Sequence, residues 1–395
     1  MFNIVTYDNI PADGLKWLSR EKYAIARECP HPDAILLRSF DLHGLPIPET
    51  VLAVGRAGSG VNNIPVEAYS KRGIPVFNTP GANANAVKEL TIAGMFLASR
   101  NIAAALDFTS ALDGDDADIR QQVEKEKKRF AGFELAGKKL GVVGLGAIGV
   151  QVANSAIDLG MQVQAYDPSL SVKRAWQLSP SVISAASIDY LLTWADFITL
   201  HIPLNDQTRR LIDGSRLALI KQGAILINFS RAEVVEEAAV CAALDSGKLH
   251  AYVTDFPTRA IVDQPRATVL PHLGASTAEA EVHCAGMVAE SLVDFLENGE
   301  IRNSVNFPEV AMPRGGAVRL AVANENVPGM VSVISAALAA AGLNIENLLN
   351  KSRDKTAYTL IDLNAAVRPE TLQLIRSTKG VLSARIIPKS AVAFE

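Results

Sequence analysis

Cysteine is scarce in this sequence: Cys29, Cys241 and Cys284 are the only three in 395 residues. An odd number at such wide spacing builds neither a disulfide framework nor a zinc site, so a reducing compartment and no metal are expected. Excess charge of one sign is also missing. Lys and Arg total 38 against 42 Asp and Glu, a net of −4, which offers no basic surface to nucleic acid or to an anionic membrane. Long apolar runs are absent too. The longest weakly polar stretch, Val327 to Leu343, is broken by Pro328-Gly329 and rich in Ala and Ser, so it reads as a buried small-residue helix and not as a membrane span. The start, Met-Phe-Asn-Ile-Val-Thr-Tyr-Asp, lacks a basic segment before an apolar one and reads as a first strand, not a signal peptide. A cytoplasmic protein without nucleic-acid or membrane partners is the expectation.

What is present is enough apolar material, 49% of residues, for two or three cores in a chain of this length. Short apolar runs at Asn3–Tyr7, Ala34–Leu37, Val51–Val54 and Pro75–Phe77 have turn signals and helical patterns between them, which argues a parallel sheet with helices on its faces. A charged stretch, Asp113 to Arg129, reads as a solvated connecting helix. From Lys139 to about Gly274 the alternation is regular, with runs at Leu140–Val143, Gln162–Tyr166, Phe197–His201, Ala224–Asn228, His250–Asp255 and Thr268–Pro271, as in a doubly wound domain. Ser276 to Asn298 reads as one long amphipathic helix returning to the first domain. A linker with Pro and Gly, Asn306 to Gly316, follows. The rest runs strand, helix, strand, strand, helix, strand, the order of a small ferredoxin-like module. The expected architecture is α/β: a flavodoxin-like domain over 1–95 and 285–308, a Rossmann-type domain over 96–284, and the module over 317–395.

Gly144-Leu-Gly146-Ala147-Ile148-Gly149 follows the run Leu140–Val143 and opens a helical pattern. In that context the G-x-G-x-x-G spacing is a dinucleotide fingerprint: glycines allow a tight turn and bring pyrophosphate to the positive end of a helix. Asp167, closing the next strand, is placed to accept hydrogen bonds from ribose hydroxyls and to repel a 2′-phosphate, so NAD is favoured over NADP. Arg231, after Ala224–Asn228, and His272, after Val269-Leu-Pro, lie at carboxyl ends of parallel strands, where ligands of such sheets bind. A planar guanidinium suits a carboxylate and an imidazole suits proton transfer. His201, in His-Ile-Pro-Leu, is the competing histidine and reads as a wall of the nucleotide site.

Gly-Leu-Gly-Ala-Ile-Gly, His-Ile-Pro-Leu, Asn-Phe-Ser-Arg and Pro-His-Leu-Gly-Ala-Ser-Thr, in this order, resemble the D-isomer-specific 2-hydroxyacid dehydrogenase family. Val-Gly-Arg-Ala-Gly-Ser-Gly-Val-Asn-Asn-Ile and Gly-Ile-Pro-Val-Phe-Asn-Thr-Pro are similar to the branch acting on 3-phosphoglycerate. The resemblance implies that Arg231 binds and polarises the substrate carboxylate while His272 takes the hydroxyl proton. It implies cofactor contacts by Pro203, Thr208, Phe229, Ser230, Asp255 and Gly274. The family's glutamate partner of the histidine is missing here: Val253-Thr-Asp-Phe-Pro-Thr-Arg259 places Arg259 at its position. Asp255 is the nearest substitute, either orienting His272 or binding the nicotinamide amide, and a displaced pH optimum is expected. For the substrate phosphate the candidates are Arg38, Arg56 and the possible anion nest Gly58-Ser59-Gly60, with Asn83 and Asn85 weaker. The last module resembles an ACT domain. Its Asn326-Val-Pro-Gly329 and Gly-Leu-Asn344-Ile, with Asn324, imply L-serine bound between paired modules, and the family resemblance implies a homodimer or homotetramer. Rivals are an enzyme for D-lactate, glyoxylate or hydroxypyruvate, and a catalytically weak NAD-binding sensor.

Overall fold

The computed structural model describes residues 1–388; positions 389–395, read above as the end of the module, lie outside the described residues. The chain divides into two compact units, one of Met1–Ala82 with the segment from Ala278 onward, the other of Asn83–Thr277. No described helix is long and apolar enough to cross a membrane.

In the first unit, β1 (Phe2–Thr6), β2 (Tyr23–Ala26), β3 (Ala34–Leu37), β4 (Ala53–Arg56) and β5 (Val76–Phe77) form a parallel sheet ordered β2-β1-β3-β4-β5, the flavodoxin-like order. Its middle strand Ala-Ile-Leu-Leu is buried throughout, as an apolar run covered by helices on both faces must be. The helix Ala278–Asn298 buries Val288, Leu292, Phe295 and Leu296 against this sheet. Beyond it, β13 (Val318–Glu325), β14 (Ile345–Arg353), β15 (Thr356–Leu363) and β16 (Val381–Pro388) form an antiparallel sheet ordered β14-β15-β13-β16. The helices Met330–Ala340 and Pro369–Ser377 complete the ferredoxin-like order. Leu320, Val322, Ile361 and Leu363 point to one face and its helices. Ala321, Ala323, Tyr358 and Leu360 point to the other and join the core of the first sheet and the Ala278–Asn298 helix. The strand period of two thus gives this sheet two buried faces.

In the second unit, β6 (Lys139–Val143), β7 (Gln162–Tyr166), β8 (Ile183–Ser184), β9 (Phe197–Leu200), β10 (Ala224–Asn228), β11 (Leu249–Thr254) and β12 (Ala267–Val269) form a parallel sheet ordered β12-β11-β10-β9-β6-β7-β8. The order reverses at β6, and that switch point opens a crevice at the strands' carboxyl ends. Helix Ala147–Asp158 leaves β6 and packs with Ala84–Arg100. The charged helix read at Asp113–Arg129 is Asp116–Glu126, prolonged by the 3-10 turn Lys127–Phe130, and a separate helix, Ile102–Ser110, precedes it. Its start is set by Asp115, whose carboxylate caps the N–H groups of Ala117 and Asp118 while Asp118 caps it in return. Strands β2 and β8 lie outside every run read from the sequence.

Candidate active site

Gly144 leaves β6 with φ 93°, and Gly146 stands at the N-cap of the helix Ala147–Asp158. A Cβ on Gly149 would sit 1.9 Å from the Gly144 carbonyl oxygen, so only glycine lets helix and turn meet there. A Cβ on Gly146 would meet nothing within 4 Å: the space above the helix's first N–H groups is open, as an anion needs. Asp167 closes the loop. Its Oδ2 accepts the Leu145 N–H at 2.7 Å and its Oδ1 the Ser169 N–H at 2.8 Å. Pro203 and Thr208 share the turn after β9, where Thr208 Oγ1 donates to the Pro203 carbonyl at 2.6 Å.

His201 is set apart from the chemistry. Its Nε2 lies 3.0 Å from Thr199 Oγ1, its Nδ1 is shut from solvent, and burial pushes its pKa down to about 3. An imidazole so reluctant to take a proton is neutral and a poor base near neutrality. His272, in contrast, is exposed, on a turn with φ 51°, and its ring packs edge-on against Phe256 at 5.4 Å.

Asp255 ties the constellation together. It follows directly on β11 and is buried, and its Oδ2 accepts the Gly274 N–H at 2.8 Å while its main-chain oxygen accepts the His272 N–H at 3.1 Å. Burial raises its carboxyl above the usual range, opposed by the Gly274 N–H and by the charges of His272 and Arg231. The aspartate therefore orients His272 through the main chain, and no carboxylate lies within 4 Å of the His272 ring among the described residues. Arg259, at the position of the family's glutamate, is exposed and pairs with Asp263 at 2.6 Å. Asp255 Oδ1 has no hydrogen-bond partner among the described residues. A buried acceptor left this way needs a donor, and the amide of a nicotinamide is one. Together with the open glycine cradle, it shows that the residues fit NAD.

Arg231 owes its position to a residue the sequence reading passed over. Asn228 is buried at the end of β10; its Oδ1 accepts the Ser230 N–H at 3.1 Å and the Ser230 hydroxyl at 2.8 Å, and its Nδ2 donates to the Arg231 carbonyl at 2.9 Å. The loop Phe229-Ser230-Arg231 is thus folded around one amide. Asn83, in this unit, stands at the N-cap of Ala84–Arg100.

Arg38, Arg56, Ser59 and Gly60 fall in the first unit. Arg38 is ion-paired with Glu281 and so is not the unneutralised cation that the sequence suggests. Arg56 Nε donates to the Arg38 carbonyl at 3.0 Å. Its guanidinium fills the space a Cβ on Gly58 would take, 2.2 Å away. Ser59 Oγ donates to the Thr79 carbonyl at 3.3 Å. Asp8 is a second residue missed: its Oδ2 accepts the N–H groups of Arg38, Ser39 and Phe40 at 2.9, 2.8 and 2.9 Å, fixing the loop that carries Arg38. A backbone-binding aspartate before a Pro-containing turn has no sequence signature to distinguish it.

Asn324 is buried, with Nδ2 donating to the Glu325 carbonyl at 2.7 Å; Asn326 Nδ2 donates to the Asp354 carbonyl at 3.0 Å, and the Asn344 N–H donates to Asn364 Oδ1 at 3.0 Å. The register pairs Asn324 with Ala357 at one end of β15 and Ile345 with Leu363 at the other. Asn326 lies level with Lys355 and Asn344 with Asn364, so at about 3.4 Å per residue they are roughly 30 Å apart, and one chain does not bring them together.

The profile of the D-isomer specific 2-hydroxyacid dehydrogenase NAD-binding domain matches residues 102–274. D-3-phosphoglycerate dehydrogenase of Escherichia coli (strain K12) is 33% identical over 355 residues, 86% of this chain and 82% of that protein. The Mycobacterium bovis protein of the same name is 39% identical over 286 residues, 70% of this chain and 52% of its own length. Among solved structures, the TT0316 protein of Thermus thermophilus is similar with TM-score 0.64 and 25% identity over 77% of this chain and all of that one. An NAD-bound 3-phosphoglycerate dehydrogenase of Entamoeba histolytica shares the fold, at TM-score 0.60 and 24% identity over 77% of this chain and 98% of that one. The chain belongs to the D-isomer-specific 2-hydroxyacid dehydrogenases, NAD-dependent oxidoreductases acting on a CH–OH group.

Proposed function

We propose that this chain oxidises D-3-phosphoglycerate at C2 to 3-phosphohydroxypyruvate, the entry step of serine biosynthesis. The observation that carries the reading is the grouping of Arg231, Asp255 and His272 at neighbouring strand ends of one sheet. Bound NAD supplies the acceptor for the C2 hydride. Arg231 holds the carboxylate and polarises the reacting carbon–oxygen bond, and His272 takes the hydroxyl proton. Asp255 holds the His272 and Gly274 main chain and offers Oδ1 to the carboxamide. Arg56, Ser59 and Gly60 are assigned the phosphate, the Gly58 N–H being taken by the Arg56 carbonyl at 2.9 Å, with Arg38 available if it exchanges Glu281 for substrate. We assign substrate binding to 1–95 with 285–308, NAD binding to 96–284 and regulation to 317–395.

Initial rates of NADH appearance with 3-phosphoglycerate, beside D-lactate and D-glycerate, test this. Turnover confined to the phosphorylated acid and lost in His272→Ala is the expected result. Turnover of D-lactate alone would reassign the substrate, and NAD binding without any turnover in either direction would favour a sensor. We further assign to the module L-serine binding by Asn326 of one copy with Asn344 of another, in a cytoplasmic homodimer or homotetramer. Asn344→Ala should relieve serine inhibition with turnover intact; wild type indifferent to millimolar serine would refute it.

A further inference from the structure

Where the second face of the β13–β16 sheet meets the first sheet's domain, a cavity of about 340 Å³ remains, lined by Arg72, Arg376 and Arg385. Arg72 comes from the end of the helix Val66–Lys71, Arg376 from the last turn of Pro369–Ser377 and Arg385 from β16. Each is held by main-chain oxygens. Arg72 donates to the Ile47 and Pro48 carbonyls at 2.7 and 3.2 Å, Arg376 Nε to the Ala384 carbonyl at 2.8 Å, and Arg385 to the Leu296 carbonyl at 3.2 Å and to that of Phe295. Arg385 also lies over the Phe295 ring, 4.1 Å from its centroid. Burial holds the Arg385 pKa below its usual value, opposed only by Tyr358.

None of the three has a carboxylate within 4 Å among the described residues. Glu49, the one acid on the wall, stands beyond that reach. The contrast within the same module is Arg319, which is fully buried and neutralised by Asp362 through two bonds of 2.6 and 2.9 Å. Three guanidinium groups fixed by main-chain carbonyls around one cavity, without a counter-ion among the described residues, make a preorganised anion site, because their geometry is already set. Arg376 keeps both terminal nitrogens without a protein partner among the described residues.

We propose that this seam binds a small multivalent oxyanion, a phosphate or polycarboxylate, separately from the catalytic site. The volume is at the small end of ligand pockets, which suits a small oxyanion. Ser383 Oγ, which bridges from β16 to the Gly73 carbonyl at 3.1 Å, lies on the same wall. An occupant would therefore join Arg72 on the first domain to Arg376 and Arg385 on the module and fasten the two together.

Calorimetric titration of the full chain with inorganic phosphate at constant ionic strength tests this, run on wild type, Arg376→Gln and Arg56→Gln. Arg376 is exposed, so its replacement leaves the fold intact, and the unliganded melting temperature checks that. Expected is a saturable site retained in Arg56→Gln and weakened by roughly ten-fold or more in Arg376→Gln, with citrate competing. Phosphate binding unchanged in Arg376→Gln and lost in Arg56→Gln would place the anion on the substrate residues and overturn the proposal. So would the absence of saturable heat at millimolar phosphate.

Discussion

At the scale of single residues, the chemistry rests on side chains whose own partners are main-chain groups. Asn228 shapes the Arg231 loop through three hydrogen bonds. Asn228→Ala should lower kcat/KM by roughly ten-fold or more and cost about 1–3 kcal/mol of stability for the donors left buried. Steady-state kinetics check this; turnover equal to wild type would refute the assignment. His201 supplies a pH-dependent term. Its pKa is about 3 in the folded chain against 6.5 for the free side chain, so between those values the unfolded chain binds a proton that the native one refuses. Stability is then lost as pH falls through that window, by up to ~1.4 kcal/mol per pH unit. Urea unfolding at a series of pH values should show a shallower acid slope for His201→Asn than for wild type, and identical slopes would remove His201 from the account.

At the scale of elements, the Gly144–Gly149 turn separates two roles that the sequence writes with one letter. Gly149→Ala drives a methyl into a carbonyl 1.9 Å away and should destabilise the second unit by about 1–3 kcal/mol or more. Gly146→Ala meets no protein atom within 4 Å. It should melt like wild type while weakening NAD binding, because its methyl occupies the space over the helix N-terminus. Thermal melts with and without NAD distinguish the two, and a Gly146→Ala chain that binds NAD normally would contradict the cradle. Much of this element was legible in advance, since a strand, a glycine turn and a helix each carry a local signature. Strand β2 was not: only Tyr23 of its four residues is buried, so no apolar run marks it. Strand β8, with both its residues exposed, is defined only by its pairing with β7.

At the scale of the whole chain, the four-stranded sheet is a structural part of the first unit. Its Ala321, Ala323, Tyr358 and Leu360 share a core with Phe77, Phe295 and Phe307. Arg319 and Asp362, opposite one another on that face, tie the linker in, because Arg319 also donates to the Asn298 and Pro313 carbonyls and Asp362 accepts the Gly315 N–H. Removing one member strands the other's charge, so Asp362→Ala should cost about 3–5 kcal/mol in equilibrium unfolding. A cost below about 1 kcal/mol, the range of exposed pairs, would show that the face opens to water.

The sequence by itself determined the α/β class, the sites of Gly144, Arg231 and His272 at strand ends, and the ferredoxin-like order of the last module, because periodicity, turns and short motifs are local properties of the chain. Tertiary structure alone decided what lies far apart in sequence: that Glu281 neutralises Arg38, that Asp255 reaches His272 by its main chain, and that the module's second face is buried. Those outcomes depend on which surfaces meet, and a side chain's charge state and hydrogen bonds are settled only by what packs against it.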